Sequence, residues 1–166
     1  MENLIFKIDS GIKEIEVTNQ NDELITVLKI NVNDSNTANR FTKLIANLEH
    51  VSSEFESEAK EKEEKYSGRE IMQKESKVLD TEQVIDLCDM NIRYINRCIE
   101  EINAVFGENT IQNVYKECYA VNEDFVPDED LLLQFVDNVI PIMNGLFKEK
   151  FARNKQRYSP SKRGKR

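Results

Sequence analysis

The sequence predicts an α+β fold, in which an N-terminal three-stranded antiparallel sheet is followed by a mainly α-helical bundle. Residues 1–32 alternate apolar and β-branched residues with polar ones, a pattern typical of half-buried strands. After them, apolar residues recur every three or four positions, which is the spacing of one helix face. The chain has 166 residues, enough for one domain with a core. We therefore expect one α+β domain at residues 1–147 and a separate segment at residues 148–166.

Three short runs in the first 32 residues carry the strand pattern, and polar turns separate them. The runs are LIFKI, IKEIEV and LITVLKINV, and the turns are DSG and NQND. The third run places these residues on one face: Leu24, Thr26, Leu28, Ile30 and Val32. The first run places these on another: Leu4, Phe6 and Ile8. Because three strands with one apolar face are barely stable alone, we expect a helix to cover the sheet.

The first helix is predicted at about residues 34–66. Its candidate N-caps are Asp34, Ser35 and Asn36. An apolar stripe follows at helical spacing: Phe41, Leu44, Ile45, Leu48, Val51 and Phe55. The residues after this stripe are nearly all charged, so a continuing helix has nothing to pack against. We therefore predict a protruding or frayed charged linker at about residues 57–79.

Two further helices are predicted on either side of Gly107. The first covers residues 80–106 and begins with a capping box formed by Asp80 and Gln83. Its apolar stripe comprises Val84, Ile85, Leu87, Cys88, Ile92, Ile95, Ile99, Ile102 and Val105. A glycine after the last periodic residue adopts the left-handed conformation that ends helices. A second capping box then starts a helix at residues 109–118.

The last helix is predicted at residues 128–157, with Asp128 as its cap. Its apolar stripe comprises Leu131, Leu132, Phe135, Val139, Ile142, Met143, Leu146, Phe147 and Phe151. Pro141 and Gly145 lie inside this stripe, so we expect a kink near Val139 and Ile140, or a helix broken in two. From about residue 158 onward we expect disorder.

Charge is distributed unevenly along the chain. The net charge is −8, but residues 148–166 contain nine Lys or Arg and one acid, a net charge of +8, which leaves −16 for residues 1–147. The candidate basic-tail residues are Lys155, Arg157, Lys162, Arg163, Lys165 and Arg166. We expect this tail to attract acidic partners at long range, with a strength that falls as salt rises.

No catalytic constellation or cofactor motif is recognisable in the sequence. The one histidine, His50, lies among helical residues, and no P-loop, GxGxxG or HExxH sequence occurs. The three cysteines are ten and twenty residues apart, which is not zinc-ligand spacing. No apolar run is long enough to cross a bilayer, and no secretory leader pattern opens the chain. We expect a soluble, unprocessed protein that is not an enzyme and needs no cofactor.

Two short motifs resemble a family of phage proteins. The first is the corner Val-Phe-Gly-Glu-Asn-Thr at residues 105–110, and the second is Tyr-Ser-Pro followed by basic residues at residues 158–166. Through them, roughly residues 80–166 resemble the siphophage and prophage tail assembly chaperones of Gram-positive bacteria, which are encoded just before the tape measure protein. The family commonly has a second glycine where Asn109 stands. The segment KECYAVNEDF is also longer and more acidic than the family pattern.

The resemblance implies a non-enzymatic protein that binds the tape measure protein and keeps it soluble while the tail tube polymerises around it. It also implies a location in the host cytoplasm and absence from the finished virion. Phe147 and Phe151 continue the last apolar stripe into the basic segment, which indicates a partner surface. The candidate partner-binding residues are Phe106, Leu132, Phe135, Val139, Met143, Phe147 and Phe151. The tail tube protein and a second copy of the chain are further candidate partners.

Two alternative functions remain open from the sequence. A minor structural tail protein of the virion is one, because an α+β module with a basic terminus fits it equally well. A nucleic-acid-binding accessory protein that uses the basic tail is the other. The −16 charge of the remaining chain repels phosphate and disfavours this second alternative.

Overall fold

The structure, a computed structural model, describes residues 5–73 and 81–158, and within them it is mainly helical with a small antiparallel sheet. Its elements are β1 Ile12–Thr18, β2 Leu24–Asn31, α1 Ser35–Gln73, α2 Thr81–Phe106, α3 Thr110–Val114, α4 Lys116–Val121 and α5 Glu129–Tyr158. The α+β class is confirmed. The described sheet has two strands, so the prediction of three strands is wrong.

The predicted first strand is absent from residues 5–10, and Leu4 lies outside the described residues. The side chains of Ile5, Phe6 and Ile8 are all strongly exposed. Gly11 has a φ of +74°, and an added Cβ there would collide with the side chain of Asn33. The Asp9 carboxylate accepts a hydrogen bond from the Gly11 N–H at 2.9 Å. This turn lies where the strand predicted at the start of the chain would connect to β1. The alternation of apolar and polar residues in that segment therefore does not lead to strand pairing.

The two remaining strands form a hairpin with one apolar face. Ile15 pairs with Leu28, and Val17 pairs with Thr26, so these residues share the inner face. The Asn19 side-chain oxygen accepts hydrogen bonds from the N–H groups of Asn21 and Glu23, at 2.9 and 3.0 Å. The turn predicted at NQND therefore closes the hairpin. Two strands with one apolar face need a covering layer, which the helices provide.

Helix α1 begins where its cap was predicted and ends later than predicted. The Asp34 carboxylate accepts hydrogen bonds from the Asn36 N–H at 2.9 Å and from the Thr37 hydroxyl at 2.7 Å. The Thr37 bond, followed by that of Asn36, holds the pKa of Asp34 below its usual value. The helix continues to Gln73, so the predicted linker at residues 57–79 is helical as far as it is described. The rest of that linker, residues 74–80, lies outside the described residues.

Ion pairs and ring stacking join α1 to α2 along the charged part of α1. Glu54 pairs with Arg97, and Glu58 pairs with Arg93 at 2.7 Å. Each step of four residues along α1 is thus matched by four residues backward along α2, as in an antiparallel helix pair. Aromatic stacking supports the same register, because the Phe55 and Tyr94 rings lie 4.4 Å apart. The charged half of α1 therefore does have a surface to pack against.

The ion pairs continue toward the end of α1 around Asp86. Lys62 Nζ lies 2.7 Å from one Asp86 oxygen, and the Tyr66 hydroxyl donates to the other at 2.8 Å. Tyr66 itself is only 1% exposed. The Lys62 hydrogen bond, followed by that of Tyr66, lowers the pKa of Asp86 from 3.8 to about 2. Tyr66, which stands among charged residues in the sequence, therefore joins α1 to α2 through a buried side chain and a hydrogen bond.

Gly107 ends α2 as the sequence predicts, but the capping box predicted at the start of the next helix does not form, because Asn109 makes no side-chain cap hydrogen bond. The helix after the corner is also divided. Gly107 has a φ of +114° and Asn109 a φ of 61°, and the Thr110 hydroxyl donates to the Gly107 carbonyl at 2.8 Å. The segment predicted as one helix at residues 109–118 forms α3 and α4, which meet at Tyr115. The corner therefore sets the direction in which these short helices leave α2.

Helix α5 continues through Pro141, so of the two predicted outcomes, a kink or a helix broken in two, the break does not occur. Pro141 has no N–H, so the carbonyl of Asp137, four residues earlier, lacks its helical hydrogen bond. Both residues lie on the exposed side of α5, where water can donate to that carbonyl instead. The opposite side enters the core through Leu132, Phe135, Val139, Met143 and Phe147. Residues 151–158 extend α5 as an exposed helix.

Truncation of the central α5 residue tests this packing. We expect Met143→Ala to lower the free energy of unfolding by about 2–5 kcal/mol, because the side chain is fully buried and leaves a cavity. Leu133→Ala is the control on the same helix, since Leu133 is 46% exposed. Urea unfolding measures both. An equal loss in the two variants would contradict the assigned core face.

The Asp86 cluster predicts a specific pH dependence. The folded-state pKa of Asp86 is about 2, below the ordinary value of 3.8, so the stabilisation is present above 3.8 and is lost as the pH falls through about 2. We expect Asp86→Asn to lower the melting temperature at pH 7, and the difference from wild type to shrink as the pH falls below 3.8. Thermal unfolding across this range measures it. The exposed change Asp89→Asn is the control, and a difference independent of pH would contradict the assignment.

Candidate protein-binding groove

An open groove lies between the hairpin, α4 and the first half of α5. Its volume is about 470 Å³. Its apolar lining comprises Ile15, Val17, Ile25, Leu28, Val114, Tyr115, Cys118, Phe135, Val139 and Ile142. We call this feature the hairpin groove.

The hairpin groove has a buried floor and a partly exposed rim. Leu28, Phe135 and Val139 belong to the core and form the floor. Ile15 and Val17 on β1 are half-buried, because they share the inner face of the hairpin without being fully covered. Ile142 on α5 is 43% exposed and forms part of the rim. Burying this rim against another apolar surface is favourable by about 25 cal/mol per Å² of apolar area.

The groove lies where the helices leave part of the inner face of the hairpin uncovered. Lys116 Nζ, on α4, donates to the Ile25 carbonyl at 2.8 Å, and Lys150 Nζ, on α5, donates to the Val32 carbonyl at 2.8 Å. These two bonds fix β2 at its opposite ends. The Tyr115 hydroxyl donates to the Leu131 carbonyl and joins the start of α4 to α5. The strand β1, farther from these anchors, is left with an incompletely covered inner face.

Few charged residues border the groove. They are Glu16 on β1 and Glu117 on α4. Because Ile15 and Val17 lie on the inner face of the hairpin, the side chain of Glu16 lies on the outer face. Burial raises the pKa of Tyr115 above its ordinary value of 10.0, so its hydroxyl stays a neutral donor at physiological pH. The inner walls of the groove can bind apolar side chains.

The predicted partner-binding stripe is mostly core. Five of its residues are buried: Leu132, Phe135, Val139, Met143 and Phe147. The half-buried Phe106 meets Phe135 edge to face, with ring centroids 5.7 Å apart. Phe151 is 40% exposed and lies 5.8 Å from Phe147. The stripe is therefore not a surface, because the same spacing that suits a partner also suits the protein's own core. Only Phe135 and Val139 reach the hairpin groove.

The basic-tail residues fall into two groups. Lys155 and Arg157 lie in the last turns of α5 and are exposed. Lys162, Arg163, Lys165 and Arg166 lie outside the described residues. The described part of the tail is thus a projecting basic helix end.

Sequence reasoning missed the groove residues on β1 and the rim residue Ile142. The pattern did place Val17 and Leu28 in strands and Ile142 on the apolar side of the last helix. It contained no signal for how much of the hairpin α5 would cover. That depends on the angle and offset between elements, which alternation and helical spacing leave undetermined.

Other kinds of site have less support in the structure. Across residues 5–73 and 81–158, no three His, Cys, Asp or Glu side chains form a group suited to a metal ion. His50 is exposed and lies 3.2 Å from Glu54 on the same helix. Burial raises the pKa of the Cys98 thiol, which makes it a poor nucleophile. No helix in the described part of the chain has the length and apolar character needed to span a membrane.

Comparison of the chain with models of known protein families, with curated proteins and with solved structures finds no match.

The Tyr115 hydrogen bond is testable by itself. We expect Tyr115→Phe to lower the free energy of unfolding by about 1 kcal/mol, because the partly buried Leu131 carbonyl loses its donor. Tyr119→Phe is the matched control, since the Tyr119 hydroxyl makes no hydrogen bond among the described residues. Chemical denaturation measures both. A larger loss for Tyr119→Phe would show that the hydroxyl bond does not hold α4.

Proposed function

We propose that this protein is a non-enzymatic phage tail assembly chaperone, which binds the tape measure protein in the bacterial host cytoplasm and keeps it soluble during tail tube assembly. The hairpin groove is the observation that carries the proposal. It offers apolar side chains from three elements to an external segment. The family resemblance of the residue 105–110 corner and the basic ending supplies the identity of the client.

The physical role follows from the nature of a tape measure protein. A long helical polypeptide with exposed apolar faces aggregates before the tube surrounds it, unless another molecule covers those faces. Recognition of an amphipathic helix by an apolar groove is a common way to do so. The charge of −16 on residues 1–147 then keeps the complex soluble through repulsion between complexes.

The groove replaces the α5 stripe as the binding surface in this proposal. Phe135→Asp or Phe147→Asp would place a charge in the core, so either change would unfold the protein and would not report on binding. Substitutions at the exposed rim alter the surface and leave the core intact. Ile142 is the most useful rim position, because Leu133 on the same helix has a similar exposed fraction but lies outside the groove.

One observation favours nucleic-acid binding as a second candidate function. The exposed end of α5 presents Arg153 and Arg157 four residues apart, on one side of a helix. Cationic helix ends bind phosphate through charge alone, with strong salt dependence. A gel shift at low salt, with and without residues 155–166, distinguishes this function. No shift in either form would dismiss it.

Coexpression with the neighbouring tape measure protein tests the chaperone proposal. We expect wild-type protein to keep that client in the soluble fraction and Ile142→Asp to lose most of this effect, because the charge lies in the apolar rim. The amount of client in the supernatant after centrifugation measures it.

Leu133→Asp is the control for that experiment. Leu133 is 46% exposed on α5, close to the 43% of Ile142, but it does not line the groove. It should therefore protect the client as wild type does. If wild-type protein leaves the client insoluble, the chaperone function is wrong. If both variants protect it fully while folded, the groove is not the binding surface.

A further inference from the structure

We infer that two copies of this chain associate through their N-terminal arms, defined as residues 5–8, each of which adds a strand to β1 of the other copy. The inference goes beyond the proposed function, because it concerns the outer edge of the sheet and not the hairpin groove. An exposed apolar arm, an unpaired strand edge and a register that matches both faces carry it.

The N-terminal arm has the alternation of a strand but is hardly covered by the rest of the chain. Ile5, Phe6 and Ile8 are 85%, 82% and 78% exposed. Lys7, between them, has no ion-pair or hydrogen-bond partner among the described residues. Three large apolar side chains within four positions form an exposed patch of the kind found at protein interfaces.

The backbone directs the arm away from the edge of its own β1. The Val32 N–H donates to the Gly11 carbonyl at 2.9 Å, and the Asn33 side-chain nitrogen lies 3.5 Å from the Asp9 carbonyl. Residues 9–11 therefore run on in the direction of β1, beside residues 32–33 and past the end of β2. The arm would have to reverse its direction to pair with its own β1, so the edge that it reaches without refolding belongs to another molecule.

Strand β1 offers such an edge. It pairs with β2 alone in the described sheet, and no other backbone–backbone hydrogen bond of the described residues reaches Ile12–Thr18. Alternate residues of an edge strand direct their N–H and C=O groups outward, and an added strand pairs with them. The seven residues of β1 are long enough to pair with the whole arm.

One antiparallel register pairs apolar residues with apolar residues and the cation of the arm with an acid. The opposed pairs are Phe6 with Val17, Lys7 with Glu16, and Ile8 with Ile15. Val17 and Ile15 are half-buried on the inner face of the hairpin, which the arm therefore extends. Glu16 lies on the outer face opposite Val27, so its carboxylate has no ion-pair partner among the described residues and is available to Lys7.

The neighbouring registers lose this match. A shift of one residue turns Phe6 and Ile8 to the outer face. A shift of two in one direction places Lys7 opposite Thr18, which carries no charge. A shift of two in the other direction places Lys7 opposite Glu14, which already pairs with Lys29 at 3.4 Å.

The direction of the arm also sets the symmetry of the pair. Because the arm continues the direction of β1, two copies in antiparallel order bring each arm beside the β1 of the other at once. Both arms and both edges are then used, and the contact closes as a two-fold dimer. The φ of +74° at Gly11 interrupts the alternation between arm and β1, as in a β-bulge, so that Phe6 and Ile8 can share a face with Ile15.

Sedimentation velocity of the full-length protein over a range of concentrations tests the inference. We expect a dimer, and we expect Phe6→Asp to weaken dimerisation by about tenfold, because a cross-strand apolar pair is lost at both contacts. The folded single chain should tolerate the change, since Phe6 is 82% exposed. Val121→Asp is the matched control, because Val121 is 89% exposed on α4. It should dimerise as wild type does.

A charge exchange tests the register. We expect Lys7→Glu to weaken dimerisation by about tenfold, because like charges then lie opposite each other at both contacts. Adding Glu16→Lys should restore the wild-type affinity. Adding Glu49→Lys instead gives the same net charge with the new lysine on the exposed side of α1, and it should restore nothing.

Several results would overturn the inference. A monomer at every concentration, or a dimer that Phe6→Asp leaves unchanged, would show that the arms do not join two copies. Failure of Glu16→Lys to restore the Lys7→Glu variant, or equal restoration by Glu49→Lys, would contradict the assigned register. The chaperone proposal is judged separately by client solubility, because the hairpin groove stays open in this dimer.

Discussion

Burial of one row of α5 side chains is the constraint on which the rest of the structure depends. Met143 and Phe147 are fully buried, and the Phe147 ring stacks on Phe41 of α1 with centroids 6.0 Å apart. Phe135, farther along the row, meets Phe106 at the end of α2. A hairpin of two strands is not stable by itself in water, so its inner face depends on this helical layer. The same row that was expected to bind a partner is thus needed to hold the domain together.

The groove is a consequence of how that layer is attached. Lys150 and Lys116 donate hydrogen bonds to carbonyls at the two ends of β2. These bonds hold β2 against the helices, and among the described residues β1 has no such bond from them. A third strand beyond β1 would not have covered the gap, because it would extend the sheet sideways and leave the inner face of β1 as it is. The inner face of β1 therefore stays partly exposed beside a fully packed core.

Local signals in the sequence predicted the fold where the chain obeys local chemistry. Asp34 caps α1, Gly107 ends α2, and the helical spacing gave α2 almost to the residue. The errors arose where distant residues decide the outcome. The charged half of α1 packs along α2, where Arg93 and Arg97 pair with its glutamates, and a single-helix pattern does not reveal such partners. Residues 5–10 alternate as a strand does, yet alternation alone supplies no neighbour to pair with.

The groove was beyond sequence reasoning for a related reason. An apolar stripe indicates that a face is covered but does not distinguish the protein's own core from another molecule. Ile142 and Met143 are adjacent in the sequence and both apolar, yet one forms the rim and the other the core. The placement of the helices on the hairpin makes that distinction, and three side-chain bonds between these elements, at Lys116, Tyr115 and Lys150, involve backbone carbonyls. Because every residue has a carbonyl, the sequence does not mark which ones will be used. Exposed apolar area beside a fixed core is therefore a more specific guide to a partner site than helical periodicity.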